Sequence, residues 1–176
     1  MHKPTAAIVA SLALAFSTHA GEPSPADAQH AAEARERLAD FFGRTKGITR
    51  LVHASDVWAS LHSGTSRYFV VDVRPAEDYA KGHVPGSLNL PIDVLFRPEN
   101  LARLPAGEKA IVLVCQSGHT ESMALGGLAA LGYQPWVLRF GMIGWNGETE
   151  VKAGSPAQEQ ADTVHGVGGP VEKQQQ

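Results

Sequence analysis

The alternation of short apolar runs with segments of helical pattern constrains the fold of this chain most strongly. Residues 111–114 are a continuous apolar run without alternation, which is typical of a strand covered on both faces. Residues 68–73 are rich in aromatic and β-branched side chains, which favour strands. Weaker patterns predict further strands at residues 48–53, 87–90 and 134–138.

Helices are predicted between these strands. Residues 76–80 and 120–131 have helical patterns, and Gly132 gives the second helix a C-terminal stop. Ser55 offers a side-chain oxygen as the N-cap of a further helix that extends to Leu61. The alternation predicts a doubly wound α/β domain, with a mostly parallel sheet of about five strands and helices on both faces. Ligands bind such sheets beyond the carboxyl ends of the strands.

The first twenty residues have the pattern of a secretory signal peptide. Lys3 precedes an uncharged apolar run at residues 6–16, and the small residues Thr18 and Ala20 follow it. The run is shorter than the roughly 20 residues that span a bilayer, although an uncleaved anchor or a buried helix is the alternative. We therefore expect cleavage after Ala20 and a periplasmic or secreted protein.

Composition divides the remainder of the chain into three parts. Residues 21–47 are a helical extension, in which residues 26–44 have an amphipathic pattern. This helix either packs on the domain or binds a partner protein. Residues 48–150 contain the alternating pattern and form the domain, and no apolar run there is long enough for a membrane span. Residues 151–176 are rich in Gly, Gln and Ala and are predicted to be a disordered tail.

Charge argues against nucleic acid as a partner. The chain has 15 Lys and Arg residues against 18 Asp and Glu residues. Signal cleavage would remove one more positive charge, and no basic stretch remains to attract a polyanion. With 176 residues and 43% hydrophobic content, the chain can bury one core of ordinary size.

The single cysteine, Cys115, follows the strand at residues 111–114 directly. An unpaired cysteine in an exported protein forms an intermolecular bond or is a reactive thiol, while the simpler alternative is a buried small hydrophobe. A loop between a strand and a helix N-terminus directs backbone N–H groups and positive partial charge towards its centre. There the pKa of the thiol is expected to be lowered, which makes it a nucleophile. The candidate site is the loop Cys115, Gln116, Ser117, Gly118, His119 and Thr120.

Four segments resemble one known family. They are residues 72–79, residues 82–91, the loop from Cys115, and residues 131–133 with 140–145. In this order and spacing they resemble the rhodanese (thiosulfate sulfurtransferase) domain. The resemblance implies that Cys115 is the nucleophile and carries sulfane sulfur as a persulfide. It also implies a small sulfur donor and a thiol or cyanide acceptor, with no cofactor and no metal.

The loop departs from the family pattern at two positions. Thr120 and Glu121 stand where many active members of the family have Arg and Ser. Loss of a guanidinium removes a strong contact to an anion, so thiosulfate is expected to be a poor donor. His119 within the loop and Arg139 at the end of the last strand are candidates to supply the missing charge. The alternatives are a surface histidine, a surface ion pair and a capping role for Thr120.

The other polar and aromatic residues of interest are interpreted as structural. The acidic and basic side chains of residues 72–78 are expected to pair with one another, and His83 to be a hydrogen-bonded turn residue. Trp136 and Trp145 are expected in the core or in a pocket wall.

Two other functions compete with a sulfurtransferase. The domain could keep the fold without catalysis, as a binding or sulfur-carrier module that acts on a partner protein. A thiol redox or arsenate-type activity is disfavoured because Cys115 has no resolving cysteine in the chain.

Overall fold

The sheet lies at the centre of the computed structural model, which describes residues 24–45, 50–64, 66–146 and 170–173. All five strands are parallel, in the order β1-β5-β4-β2-β3. The strands are β1 (Leu51–Val52), β2 (Tyr68–Asp72), β3 (Leu88–Asn89), β4 (Ala110–Val114) and β5 (Trp136–Leu138). The predicted doubly wound α/β fold with a parallel sheet is confirmed.

Seven helices accompany the sheet within the described residues. They are α1 (Pro25–Arg44), α2 (Ala54–His62), α3 (Ala76–Lys81), α4 (Ile92–Leu95), α5 (Pro98–Leu101), α6 (His119–Ala130) and α7 (Gly141–Trp145). No helix among the described residues has the length and apolar character needed to cross a membrane. The segment predicted to be a signal peptide, residues 1–20, lies outside the described residues.

The position of the central strand β4 explains why apolar and polar residues do not alternate in its sequence. Ile111 and Leu113 belong to a core cluster with side chains of α1 and α6. Val112 and Val114 face the opposite side and join a second cluster with α2 and α7. Both faces of β4 are therefore covered by helices, and each residue of its apolar run is buried.

Helix α1 packs on the domain rather than standing apart from it. Its N-terminus has a capping box, in which Ser24 and Asp27 each accept from the other's backbone N–H. Phe41 is fully buried in the core cluster, and Arg37 donates to the carbonyl of Ala130 at the end of α6. The amphipathic face of α1 is thus used within this chain.

The predicted N-cap at Ser55 is wrong. Helix α2 begins at Ala54 and its N-cap is His53, in an extended conformation, two residues before Ser55. Ser55 therefore lies in the first turn, where its side chain cannot cap. The chain leaves β1 directly after Val52, and residues 48–49 of the predicted first strand lie outside the described residues.

Residues 170–173 depart from the expectation of a disordered tail. Glu172 forms an antiparallel bridge with His83, and its carboxylate lies 3.3 Å from His83 Nε2. The indole N–H of the fully buried Trp145 donates to the carbonyl of Pro170. A buried indole N–H needs a partner, and this segment supplies it. The rest of the tail, residues 151–169 and 174–176, lies outside the described residues.

Candidate active site

Cys115 is the first residue after β4, at the carboxyl edge of the sheet. Helix α6 begins at His119, one residue earlier than predicted, and Gly118 is its N-cap in the left-handed conformation with φ of 101°. The loop is therefore shorter than the six residues proposed. Thr120 does not cap α6, because Thr120 and the exposed His119 both lie in its first turn.

Backbone N–H groups surround the sulfur of Cys115. The N–H of Gly118 lies 3.2 Å from Cys115 Sγ, and the N–H of Ser117 also donates to the sulfur. Cys115 as a whole residue is 3% exposed. Gly118 permits the left-handed turn that aims these donors inward. The loop is thus a small cradle suited to an anionic sulfur.

Glu121 lies beneath this cradle. It is fully buried, and one oxygen of its carboxyl group accepts the backbone N–H of Cys115. Its other oxygen, Oε1, is buried with no hydrogen-bond partner among the described residues. The sequence indicated only a nearby negative charge, since an acidic residue in the first turn of a helix is ordinarily a solvated one.

The electrostatics of the site contradict the expectation of a lowered thiol pKa. Burial, and then the charge of Glu121, raise the pKa of the Cys115 thiol, while the backbone N–H groups of Ser117 and Gly118 lower it by less. Burial also raises the pKa of Glu121 to about 8, with a further contribution from Asp72. The sequence pattern indicated the backbone N–H donors, which lower the pKa of the thiol. It did not indicate the burial of the thiol, which raises this pKa by more.

A buried ion pair supports the loop from β2. Asp72 is fully buried and Arg74 is 6% exposed, and Arg74 Nη2 lies 2.6 Å from Asp72 Oδ2. The same guanidinium donates to Gln116 Oε1 at 3.2 Å and to the carbonyl of Gly82. Arg74 thus places a fixed positive charge against the loop, whereas the sequence analysis assigned this side chain only a structural role.

Helix α7 holds the loop from the other side. The N–H of Met142 donates to the carbonyl of Cys115 at 2.8 Å, and the N–H of Ile143 donates to the carbonyl of Gln116 at 3.1 Å. Gly141 has a φ of 54°, and a Cβ there would lie 2.3 Å from the Cys115 carbonyl oxygen. The loop therefore depends on a close backbone contact with α7.

A family model for the rhodanese-like domain matches residues 53–148, more than half of the chain. The chain belongs to the rhodanese-like domain family. YibN of Escherichia coli is 35% identical over 107 residues, which are 59% of this chain and 66% of that protein. An adenylyltransferase and sulfurtransferase, Uba4 of Ogataea parapolymorpha, is 33% identical over 66 residues, 38% of this chain and 16% of that protein. The chain spans less than two thirds of either curated relative.

Among solved structures, a rhodanese-like domain protein from Staphylococcus aureus is 25% identical, with a TM-score of 0.50. The alignment covers 58% of this chain and 98% of that chain. The family match at residues 53–148 contains β4, the loop from Cys115 and α6, so the rhodanese-like domain holds the site described above.

Arg139 does not supply the charge that the rhodanese-like loop lacks. It is exposed, and its guanidinium lies 4.9 Å from the centroid of the Phe140 ring. It makes no hydrogen bond to the loop among the described residues. The cation that contacts the loop comes instead from Arg74, two residues after the end of the neighbouring strand β2.

Trp136 and Trp145 of the rhodanese-like domain occupy the expected surroundings. Trp145 is fully buried in the core, while Trp136 lines a cavity of about 540 Å³ together with Arg50 and Tyr133. This cavity lies at the amino end of β4, where Ala110 also lines it. It is therefore at the opposite edge of the sheet from Cys115 and takes no part in the candidate site.

The buried carboxyl group of Glu121 makes the stability of the domain depend on pH. Its pKa is raised from 4.5 to about 8 in the folded state, so the folded protein keeps a proton that the unfolded chain releases. Its contribution is complete below pH 4.5 and is lost as pH rises through about 8. The free energy of unfolding should fall by on the order of a few kcal/mol over this range, since one pKa unit is worth about 1.4 kcal/mol.

Denaturant unfolding at several pH values measures this dependence. The Glu121→Gln variant removes the titrating group and keeps its shape, so the difference between the two proteins isolates Glu121. An identical pH dependence in wild type and variant would contradict the assignment.

Proposed function

We propose that this rhodanese-like domain is a sulfurtransferase that carries sulfane sulfur as a persulfide on Cys115. The observation that carries the proposal is the cradle of backbone N–H groups around Cys115 Sγ at the carboxyl edge of the sheet. Such donors favour an anionic outer sulfur as much as a thiolate. The family membership and the sulfurtransferase among the matched relatives support the same chemistry.

The reaction has two sulfur transfers. In the first, Cys115 Sγ attacks the sulfane sulfur of a donor, and the bond between that sulfur and the donor breaks. In the second, a thiol or cyanide acceptor attacks the outer sulfur of the persulfide and leaves Cys115 as a thiolate. The loop residues Gln116, Ser117 and Gly118 bind the sulfur being transferred, while His119 and Thr120 follow them in the first turn of α6.

Charge at the site favours donors with little negative charge. Thr120 leaves the loop without a guanidinium of its own, and above about pH 8, where Glu121 is ionised, its carboxylate also disfavours the approach of a dianion. Arg74 contacts the loop, but its charge is largely used by Asp72. A thiol persulfide is therefore a better donor than thiosulfate.

Incubation with a panel of donors tests the proposal. We expect glutathione persulfide to add the mass of one sulfur atom to the wild-type protein, at a peptide that contains Cys115. Thiosulfate should do so at least about tenfold more slowly, because one lost charge contact is worth roughly 1.4 kcal/mol or more. Intact mass spectrometry follows both reactions.

The Cys115→Ala variant is the control and should gain no sulfur from any donor. If the wild type also gains none, the sulfurtransferase proposal fails. A wild type that accepts sulfur once but shows no turnover with thiol or cyanide acceptors would favour a sulfur carrier that serves a partner protein. The low exposure of Cys115, 3%, is the observation in favour of that second function.

We also propose that the protein acts in the periplasm or outside the cell. The sequence pattern of residues 1–20 supports export. In an oxidising compartment a cysteine without an intrachain partner needs protection from other thiols, and the burial of Cys115 limits such encounters.

A further inference from the structure

Glu121 is the polar group of the site whose burial the sulfur chemistry above leaves unexplained. Its side chain is fully buried, although Glu is almost never found so without a partner. One carboxyl oxygen is committed to the backbone N–H of Cys115. The other, Oε1, is buried without a partner among the described residues. An unpaired buried carboxyl oxygen is costly, so its position needs a functional reason.

The free oxygen lies close to the sulfur cradle. A Cβ placed on Gly118 would lie 3.9 Å from Glu121 Oε1, and the N–H of Gly118 is the one that holds Cys115 Sγ. The other carboxyl oxygen accepts the backbone N–H of Cys115, and the charge of Glu121 raises the pKa of the Cys115 thiol. The thiol and the carboxyl group are thus neighbouring acids, and both residues are buried.

Of the titratable groups that act on Glu121, Cys115 is the one that can exchange a proton with it. Cys115 lies on the loop after β4, and Asp72 at the end of β2 is the other titratable group that acts on Glu121. The carboxylate of Asp72 is already paired with Arg74 at 2.6 Å. A buried site with two adjacent acids tolerates one negative charge far better than two. The proton lost by the thiol therefore has the carboxylate as its nearest acceptor.

We propose that the Glu121 carboxylate, when it is ionised, accepts the proton of Cys115 during sulfur loading, so that the site keeps a single negative charge through that step. This role rests on the proposed sulfurtransferase function and adds the base that such a transfer requires. It also gives a reason for an acid at a position where the fold could bury an apolar side chain.

The step balances without an oxidant. The Cys115 thiol, the Glu121 carboxylate and a donor persulfide R–S–SH become the Cys115 perthiolate, the Glu121 carboxylic acid and the thiol R–SH. The new bond joins Cys115 Sγ to the outer sulfur of the donor, and the donor's own S–S bond breaks. The leaving thiolate takes the proton of the outer sulfur, and the sulfane sulfur keeps its oxidation state.

The pH dependence of loading distinguishes a base from a structural residue. The protein is incubated with glutathione persulfide as the sulfur donor at pH values from about 6 to about 10. Intact mass spectrometry gives the rate of sulfur loading at each pH. The wild-type rate should rise as Glu121 loses its proton and level off above about 8. At the pH where the two proteins differ most, the Glu121→Gln variant should load sulfur about 10- to 100-fold more slowly than the wild type. Its loading rate should keep rising with pH, because it then follows the ionisation of the thiol itself.

Glu99 provides the matched control. It lies exposed on α5, and Glu99→Gln should retain the wild-type profile. Gln at position 121 can still accept the backbone N–H of Cys115, so the fold is expected to persist. Profiles of the same shape and height in wild type and Glu121→Gln would overturn the proposal.

Alkylation by iodoacetamide separates this proposal from the sulfurtransferase function, because it needs the same proton transfer and no sulfur donor. In one outcome the wild type takes up no sulfur, its alkylation rate levels off near pH 8, and the alkylation rate of Glu121→Gln does not level off. The role of Glu121 as proton acceptor then stands, while the sulfurtransferase function fails. Should the variant not fold, difference infrared spectroscopy of the wild type replaces it. Raising the pH through about 8 must then remove a buried protonated carboxyl band as alkylation accelerates, and a band that does not follow the rate overturns the proposal.

Discussion

Replacing Arg74 by Ala should destabilise the domain by about 3–5 kcal/mol, the usual cost of removing one partner of a buried ion pair. Asp72 is fully buried and receives hydrogen bonds from both the backbone N–H and the guanidinium of Arg74. Without Arg74 its carboxylate keeps a charge that has no counterion. Gln116 and the Gly82 carbonyl also lose their donors. Denaturant unfolding at constant pH measures the loss.

The chain contains a matched control for this prediction. Arg44 and Asp40 are also an arginine and aspartate pair, at 2.7 Å, but both side chains are more than half exposed. Arg44→Ala should cost less than about 1 kcal/mol. In the double variant of Asp72→Ala with Arg74→Ala the two losses should not add, since no buried charge is left unpaired. A loss for Arg74→Ala as small as that for Arg44→Ala would contradict a structural role for the pair.

The ion pair also illustrates what the sequence could and could not predict. The apolar run of β4 and the strand pattern of β2 predict the parallel sheet, and the position of Cys115 follows from the end of β4. The contact between Arg74 and Gln116 joins residues 42 positions apart and depends on the neighbouring places of β2 and β4 in the sheet. Local patterns carry no information on that adjacency.

Glu121 escaped prediction for a different reason. Its sequence position, in the first turn of α6, is one where an acidic side chain is favoured by the helix dipole and ordinarily faces water. Its burial follows from the face of α6 that it shares with Ala124, Leu125 and Leu128, which are three, four and seven residues later and are also buried. The spacing therefore places Glu121 on the buried face, but a charged side chain is almost never fully buried, and the sequence indicated only a nearby negative charge.

The second large effect is expected at Gly141, which the sequence showed only as part of a family motif. Its φ of 54° is in the left-handed region, and a Cβ there would lie 2.3 Å from the Cys115 carbonyl oxygen and 3.0 Å from the Gln116 carbonyl carbon. Backbone atoms of the loop cannot yield without losing the hydrogen bonds from Met142 and Ile143. Gly141→Ala should destabilise the domain by about 3 kcal/mol or more, from strain and contact together.

The same substitution should impair sulfur loading in the protein that remains folded. A displacement of the Cys115 carbonyl moves the thiol relative to the N–H of Gly118, and a misplacement of about 1 Å can cost roughly 100-fold in rate. Gly126→Ala is the control, because Gly126 lies within α6 with no atom near the added methyl group. That variant should be more stable than wild type by about 0.5–1 kcal/mol and should load sulfur normally. Equal behaviour of the two alanine variants would mean that α7 does not hold the loop.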